Sequence, residues 1–484
     1  MARSIMSMED GLHAERLTRP GNMSPGIGIV HLGLGAFFRA HGAPWIAEAA
    51  RAGGGAWDIL GVSLRSPSVR NALKPQDYAY TAVELAPEGE RFEIIENVRD
   101  MLVAPEDPEA LLSAMSDPAV HIVSLTVTEK GYCHNPATGE LDPNHPDIVY
   151  DLAGELPKSA PGYIVRALQL RRNAGRAPFT VLSCDNLPNN GKVVRGVVLE
   201  LARLIDPELA DWIAAEGRFP STMVDRIVPA TKPEDVEQLE KAAGYYDAAP
   251  VMHEPFQQWV IEDDFVGGER PDFGAVGVQL VDDVTPYEHM KLRMLNGAHS
   301  SLAYLGYLAG HETIADTTGD TVFAAFAARL WQREIIPALA PPAGVDLNAY
   351  ADQLLERFRN PAIRHLTWQI AMDGSQKLPQ RILGTLRENL DAGRESPGLL
   401  LALAAWMRYV GGTDENGDPI DVQDPLADRL RKLSDDVRGA DKVSRLLSVR
   451  EVFPADLAKR IEPLLRPVFT GLIEKGARAS VSEL

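Results

Sequence analysis

Apolar residues in the first half of the chain fall in short runs, separated by stretches in which they return every three or four positions. The short runs predict buried strands and the longer spacing predicts helices, so their alternation predicts a parallel sheet with crossover helices. Strands are expected at Gly28 to Gly33, Trp57 to Leu64, His121 to Thr128, Phe179 to Cys184 and Met223 to Val228. Helices are expected between them at Ile164 to Asn173 and Val193 to Leu204. From Thr285 onward long amphipathic segments take over, among them Thr321 to Leu339, Ala349 to Phe358 and Gly398 to Val410. The pattern therefore predicts two domains, an α/β domain over 1–284 and a mainly α-helical one over 285–484, with no internal repeat.

The segment TPYEHMKLRMLNGAHSSLAYL, Thr285 to Leu305, carries a lysine inside its own apolar stripe. Lys291, Leu295, Ala298, Leu302 and Leu305 follow one another at helical spacing and form one core-facing band. Desolvation there would lower a lysine pKa towards neutrality, as a general base requires. Projected on a regular helix, Glu288 and His299 lie on the same side as Lys291, and Asn296 lies one turn before His299. The uneventful reading stays open: Glu288 closes a capping box with Thr285 and Pro286, Lys291 snorkels, and Asn296 and His299 are satisfied interface residues. The domain boundary falls beside this segment, and small-molecule sites tend to lie in clefts between domains.

Composition narrows the function classes. Cys133 and Cys184 are the only cysteines, which excludes a disulfide framework and a cysteine-rich zinc site and suits a reducing cytoplasm. No metal site is expected. A formal net charge of −20, without any basic stripe, argues against nucleic acid. No long apolar run suggests a membrane span, and the start MARSIMSMEDGLHAERL lacks the apolar core of a signal peptide. The oligomeric state is left open.

The run GIGIVHLGLGAFFRAH sets Gly33 and Gly35 directly after the first expected strand, with a helix due near Phe38. Glycines there let a backbone approach a pyrophosphate while a helix amino end offers amides, as in a Rossmann-type dinucleotide fold. The third fingerprint glycine is missing, so a plain strand-to-helix turn remains the alternative. Arg39 and His41 are read either as phosphate contacts or as surface polar residues. No Asp or Glu lies between Ile59 and Lys74 to hold a ribose, and Arg65 with Ser66 stands near that place. NAD is expected, with NADP not excluded. Polar residues at three expected strand ends, including Thr128, Glu129 and Lys130, Asp185, Asn186 and Asn190, and Val224, Asp225 and Arg226, ring one sheet edge in this reading, where ligands of parallel sheets bind. Asp373 and Lys377 in IAMDGSQKLPQR mark a further ligand loop or a capped turn.

The segments GLGAFFRAH, SLTVTEKGYC, SCDNLPNNG, TMVDRIVP, EPFQQWVIEDDF, KLRMLNGAHS and DGSQKLPQR, in that order from about Gly28 to Gly439, resemble the polyol-specific long-chain dehydrogenases of the mannitol dehydrogenase family. The resemblance implies metal-independent hydride transfer between a nicotinamide cofactor and a secondary alcohol. It implies Lys291 as general base, Asn186 and Asn296 as donors to the reacting oxygen, His299 orienting substrate and Glu288 on a proton path. Asp225 and Lys377 are implied on substrate, with Asn190 a second candidate for the role given to Asn186. The cofactor would meet Gly33, Gly35, Ala36, Phe37, Arg39, Glu129 and Val224. WQIAMDGSQKLPQR and VTEKGYC are most similar to the branch acting on the sugar acids D-fructuronate and D-mannonate. Gln369 stands where mannitol enzymes carry an arginine, and Phe38 where a histidine is usual; other polyols remain the alternative. Two rivals are weaker: Tyr287 and Lys291 share the Tyr-x-x-x-Lys spacing of short-chain dehydrogenases, and a non-catalytic dinucleotide sensor would use the same glycine turn.

Overall fold

A computed structural model describes residues 14–21, 26–135, 138–154 and 156–484. The expectation that the chain's start lacks a signal peptide falls largely on residues 1–13, outside the described residues. The chain divides into two compact units, Met1–Thr285 and Pro286–Leu484. Among the described residues no helix is long and apolar enough to cross a membrane.

The first unit carries strands β1 (Ile27–Leu32), β2 (Asp58–Ser63), β3 (Tyr80–Ala86), β4 (Gly89–Ile95), β5 (Val98–Val103), β6 (Ile122–Leu125), β7 (Thr180–Ser183), β8 (Thr222–Asp225), β9 (Val251–His253), β10 (Gln258–Glu262) and β11 (Gln279–Val281). Five of them form one parallel sheet in the order β5-β2-β1-β6-β7. Helices cover both faces, so the central strand is apolar on both: Val30 and Leu32 enter one core with Val123 and Leu125, and Ile29 enters another with Ile59 and Ile122. This is the expected Rossmann-type architecture.

Two strand expectations change. The fifth, Met223 to Val228, is β8, which pairs antiparallel with β10 in a separate sheet of order β11-β10-β8. The fifth member of the parallel sheet is instead β5, whose apolar run is broken by Arg99 and Asp100; Arg99 pairs with the buried Asp58 on β2. A third small sheet, β4-β3-β9, carries no apolar-run signal at β4 (GERFEII), which is mostly solvent-facing and polar.

The second unit is helical among the described residues. Leu347–Phe358 and Pro397–Tyr409 form as expected, and the latter is buried almost all round, as its uniform apolarity requires. The expected helix Thr321 to Leu339 is three geometries in succession: α-helix over Thr321–Leu330, π-helix over Trp331–Ile335 and 3₁₀ over Ile336–Ala338.

Candidate functional site

The first unit presents its glycine turn at the carboxyl end of β1. Gly33 has φ 92°, and a Cβ there would overlap the Thr126 carbonyl oxygen that follows β6, so glycine is required twice over. Gly35 is exposed with open space around a built Cβ, and it precedes a short helix, Ala36–Ala40, which gives way to Gly42–Gly53. A backbone cradle of this kind fits a pyrophosphate. Phe38, in place of the third glycine, stacks on His31 with centroids 3.4 Å apart. The close-approach requirement passes to Gly42, whose Cβ would run into the Phe38 ring.

Arg39 and His41 are neither phosphate clamps nor surface residues. Arg39 is 6% exposed, donates to the Ala249 carbonyl at 2.6 Å and lies over Tyr80, while His41 bonds the Gln258 carbonyl at 2.9 Å. The side-chain cofactor contact expected of Arg39 is withdrawn, because its guanidinium is committed inside the unit. Val224, near the end of β8, packs its side chain in the core with Leu182 and Cys184.

Asp185 at the end of β7 organises the neighbouring loop. Its carboxylate accepts from Val127 N at 3.0 Å, Thr128 N at 2.9 Å and Tyr132 Oη at 2.6 Å, and burial raises its pKa against the pull of those donors. These bonds hold Thr128 at φ 63° and present Glu129 on the surface. Asn186, the next residue, is exposed. Asn190 is not: at 0% exposure its amide donates to the Asp185 and Thr222 carbonyls, each at 2.9 Å, and accepts from Thr222 N at 2.9 Å. A saturated, buried amide joining β7 to β8 has nothing left for substrate, so the substrate contact expected of Asn190 is withdrawn. Asp225 ends β8 and is buried.

Cys133, His145 and Asp147 bring possible ligand atoms within 4.8 Å of one another. Burial and the nearby Asp147, Asp151 and Asp142 push the thiol up to about 12, and His145 Nδ1 already accepts the Asp147 amide at 3.3 Å. The grouping carries no metal assignment.

In the second unit the helix expected over Thr285 to Leu305 is not regular. An α-helical turn, Thr285–Met290, opens into a π-helix over Lys291–Gly297 before α-helix resumes over Ala298–Leu308. The first amide is held by Asp283, which accepts from Thr285 N at 2.9 Å. In an α-helix residues 291 and 296 stand about 140° apart; bonding from i to i+5 brings them onto neighbouring positions of one face. Lys291 is buried, 8% exposed, whereas Glu288 and Asn296 are partly exposed. The π-segment is wedged in place. Trp331 Nε1 donates to the Met294 carbonyl at 2.8 Å, Arg293 pairs with Glu388 at 2.6 Å, and a Cβ on Gly297 would come within 2.7 Å of the Arg381 carbonyl.

Arg381 belongs to another π-segment, Pro379–Leu383, which directly follows the helix Gly374–Leu378 bearing Lys377. Burial, then Arg381, lowers Lys377 to about 8 against Asp373 and Asp424. His299 is buried and held well below its ordinary pKa, first by desolvation and then by His365, Arg381, Arg357 and Lys377. Sequence reasoning missed His365, Arg357 and Arg381. Their only signal was the clustering of basic residues among apolar ones, which is common on helices. Gln369 is exposed on Thr367–Ala371.

Residues 27–273 match the mannitol dehydrogenase Rossmann domain, and residues 283–464 match the mannitol dehydrogenase C-terminal domain. The chain is 48% identical over 463 residues to D-mannonate oxidoreductase of Escherichia coli K12, covering 94% of this chain and 95% of that one. It is 41% identical to mannitol 2-dehydrogenase of Pyrenophora tritici-repentis, covering 94% of this chain and 81% of that one. Among solved structures, the Pseudomonas fluorescens mannitol 2-dehydrogenase ternary complex with NAD and D-mannitol superposes with TM-score 0.85 at 39% identity, covering 97% of this chain and 96% of that one. A substrate-free D-sorbitol dehydrogenase gives TM-score 0.87 at 34% identity, covering 97% and 98%. With both family domains matched in order and relatives aligned nearly end to end, the chain belongs to the mannitol dehydrogenase family.

Proposed function

We propose that this oxidoreductase interconverts D-fructuronate and D-mannonate with NAD, without a metal, using Lys291 as general acid and base. The observation that carries the reading is the 48% identity to D-mannonate oxidoreductase across nearly the whole chain. The buried Lys291 at the head of a π-segment supports the mechanism, because π-segments concentrate at functional sites and burial keeps bulk water from competing for the proton.

The turn at Gly33 and Gly35, with the backbone of Ala36 and Phe37 and with Glu129 on the Asp185-pinned loop, would hold the dinucleotide. When bound, the nicotinamide supplies or accepts hydride. In reduction the Lys291 ammonium gives its proton to the carbonyl oxygen; in oxidation the neutral amine removes the hydroxyl proton. Asn186 and Asn296 donate to that oxygen, each stabilising its developing charge by roughly 3 kcal/mol. His299, kept neutral by burial, and Asp225 orient the chain of hydroxyls, and Glu288 passes the proton onward.

A second reading, a mannitol 2-dehydrogenase or another polyol dehydrogenase, draws on the 41% and 39% identities to mannitol enzymes. Steady-state rates with D-fructuronate, D-fructose, D-mannonate, D-mannitol and D-arabinitol, each with NAD(H) and NADP(H), decide between them. The highest kcat/KM is expected for the sugar-acid pair with NAD(H). A higher value for any polyol pair would replace the first reading by the second, and no redox turnover with any of them would favour a dinucleotide sensor.

A further inference from the structure

Two imidazoles in the helical unit each hide a nitrogen that the protein leaves unanswered. His299 Nε2 and His365 Nδ1 are buried and have no hydrogen-bond partner among the described residues. The rings meet edge to face with centroids 4.6 Å apart, and His299 also stacks on Phe358 at 4.9 Å. The chain at His365 is fixed, its carbonyl accepting from Ile314 N at 3.0 Å and its amide donating to the Ile363 carbonyl at 2.8 Å. A buried donor or acceptor without a partner in the protein calls for an explanation, a bound water or ligand among them, and here two lie on adjoining imidazoles beside a cluster of cations.

Charge around the pair has one dominant sign. Lys377 and Arg381 act on both imidazoles, and Arg357 acts on His299. The acids that reach Lys377 are Asp373 and Asp424, and Asp424 is already engaged by Ser375 N at 2.8 Å, Ser375 Oγ at 2.6 Å and Leu426 N at 2.8 Å. Arg381 donates to Ser300 Oγ at 3.0 Å, a neutral partner. Cations gathered in a poorly solvated place repel one another, and an anion relieves them. The exposed Gln369 adds no charge of its own.

We propose that His365 is a specificity-determining residue which, with Lys377, binds the carboxylate of a sugar-acid substrate, while His299 takes a hydroxyl of the same molecule. The assignment rests on the sugar-acid reading above and explains it: a neutral polyol has no group that answers both the lysine and the second imidazole. His365 gives a hydrogen bond without adding a charge, and Lys377 supplies the charge.

The test compares wild type with His365→Leu and His365→Gln, each with NADH and either D-fructuronate or D-fructose, its uncharged counterpart. His365→Leu is expected to raise the KM for fructuronate roughly 10- to 100-fold, the span of one hydrogen bond to a charged group, and to raise the KM for fructose by a clearly smaller factor, that of the disturbed contact with His299. His365→Gln, which keeps a donor, restores most of the loss and stands in if the leucine variant does not fold. An unchanged fructuronate KM, or equal changes for acid and ketose, overturns the assignment while leaving the substrate reading intact. If wild type reduces fructose alone, the substrate reading fails, and the site is then judged by inhibition of fructose reduction with D-gluconate against D-glucitol. Stronger inhibition by the acid, lost in His365→Leu, upholds the anion site; equal inhibition removes it.

Discussion

The two units build their functional surfaces from different materials. In the Rossmann-type unit the backbone does the presenting: a glycine with φ 92° at a position that no Cβ fits, and a loop whose amides are gathered by Asp185. In the helical unit side chains do it, and they are placed by departures from α-helical phase, with π-segments at Lys291–Gly297 and Pro379–Leu383. A sheet edge fixes positions through strand register. A helix bundle must alter its own winding to bring residues five apart onto one face.

The sharpest way to break this contrast is at Lys291. Lys291→Ala is expected to lower kcat by roughly 10²–10⁴-fold, the usual contribution of a positioned acid or base, with NAD affinity by fluorescence titration unchanged. A near-native kcat would remove the lysine from the chemistry. Next comes the pair of asparagines. Asn296→Ala should cost about 10²–10³-fold in kcat, as for other oxyanion donors, with little change in melting temperature. Asn190→Ala should do the reverse, losing about 2–3 kcal/mol of stability in a denaturant titration because two carbonyls and an amide lose their partner. Exchanged outcomes would restore Asn190 to the substrate.

Backbone presentation is tested at Gly33→Ala, where both the positive φ and the Thr126 carbonyl oppose a side chain. Local strain of about 1–3 kcal/mol should appear as weaker NAD binding in calorimetry, with substrate KM at saturating cofactor unaffected. The smallest effect is with pH. Lys377 is lowered to about 8 by burial and by Arg381, so its ammonium is present below that value and lost above it. The KM for a carboxylate substrate should rise several-fold as pH passes upward through about 8, and the rise should vanish in Lys377→Met.

The same contrast decides what the sequence made legible. Apolar runs revealed β1, β2, β6 and β7, because strands buried on both faces are continuous in the chain. β5 stayed hidden behind Arg99, which pairs with the buried Asp58, since charges read as surface until their partnership is known. Lys291 was found through an apolar stripe projected on a regular helix, and the stripe is indeed buried, yet the projection misplaced Asn296 because nothing in KLRMLNG announces a π-turn. Arg39 and Asn190 share one failure. Residue type and position near a glycine loop or strand end do not reveal whether a polar side chain turns inward, and both do. His365 could not be seen at all, lying 66 positions from the ring it meets.

The wide turn at Lys291–Gly297 also sets a rule for chain length. Removing one residue between Leu292 and Leu295 would let the segment relax into ordinary winding, with better local bonding and no proline or charge introduced. The flanks would keep nearly the same phase, and Lys291 and Asn296 would stand four positions apart, about 40° around an ordinary helix, still on one face. Winding the same seven residues as ordinary α-helix would instead part the two by about 140°, so with this tally of residues it is the wide winding that keeps the amide beside the lysine.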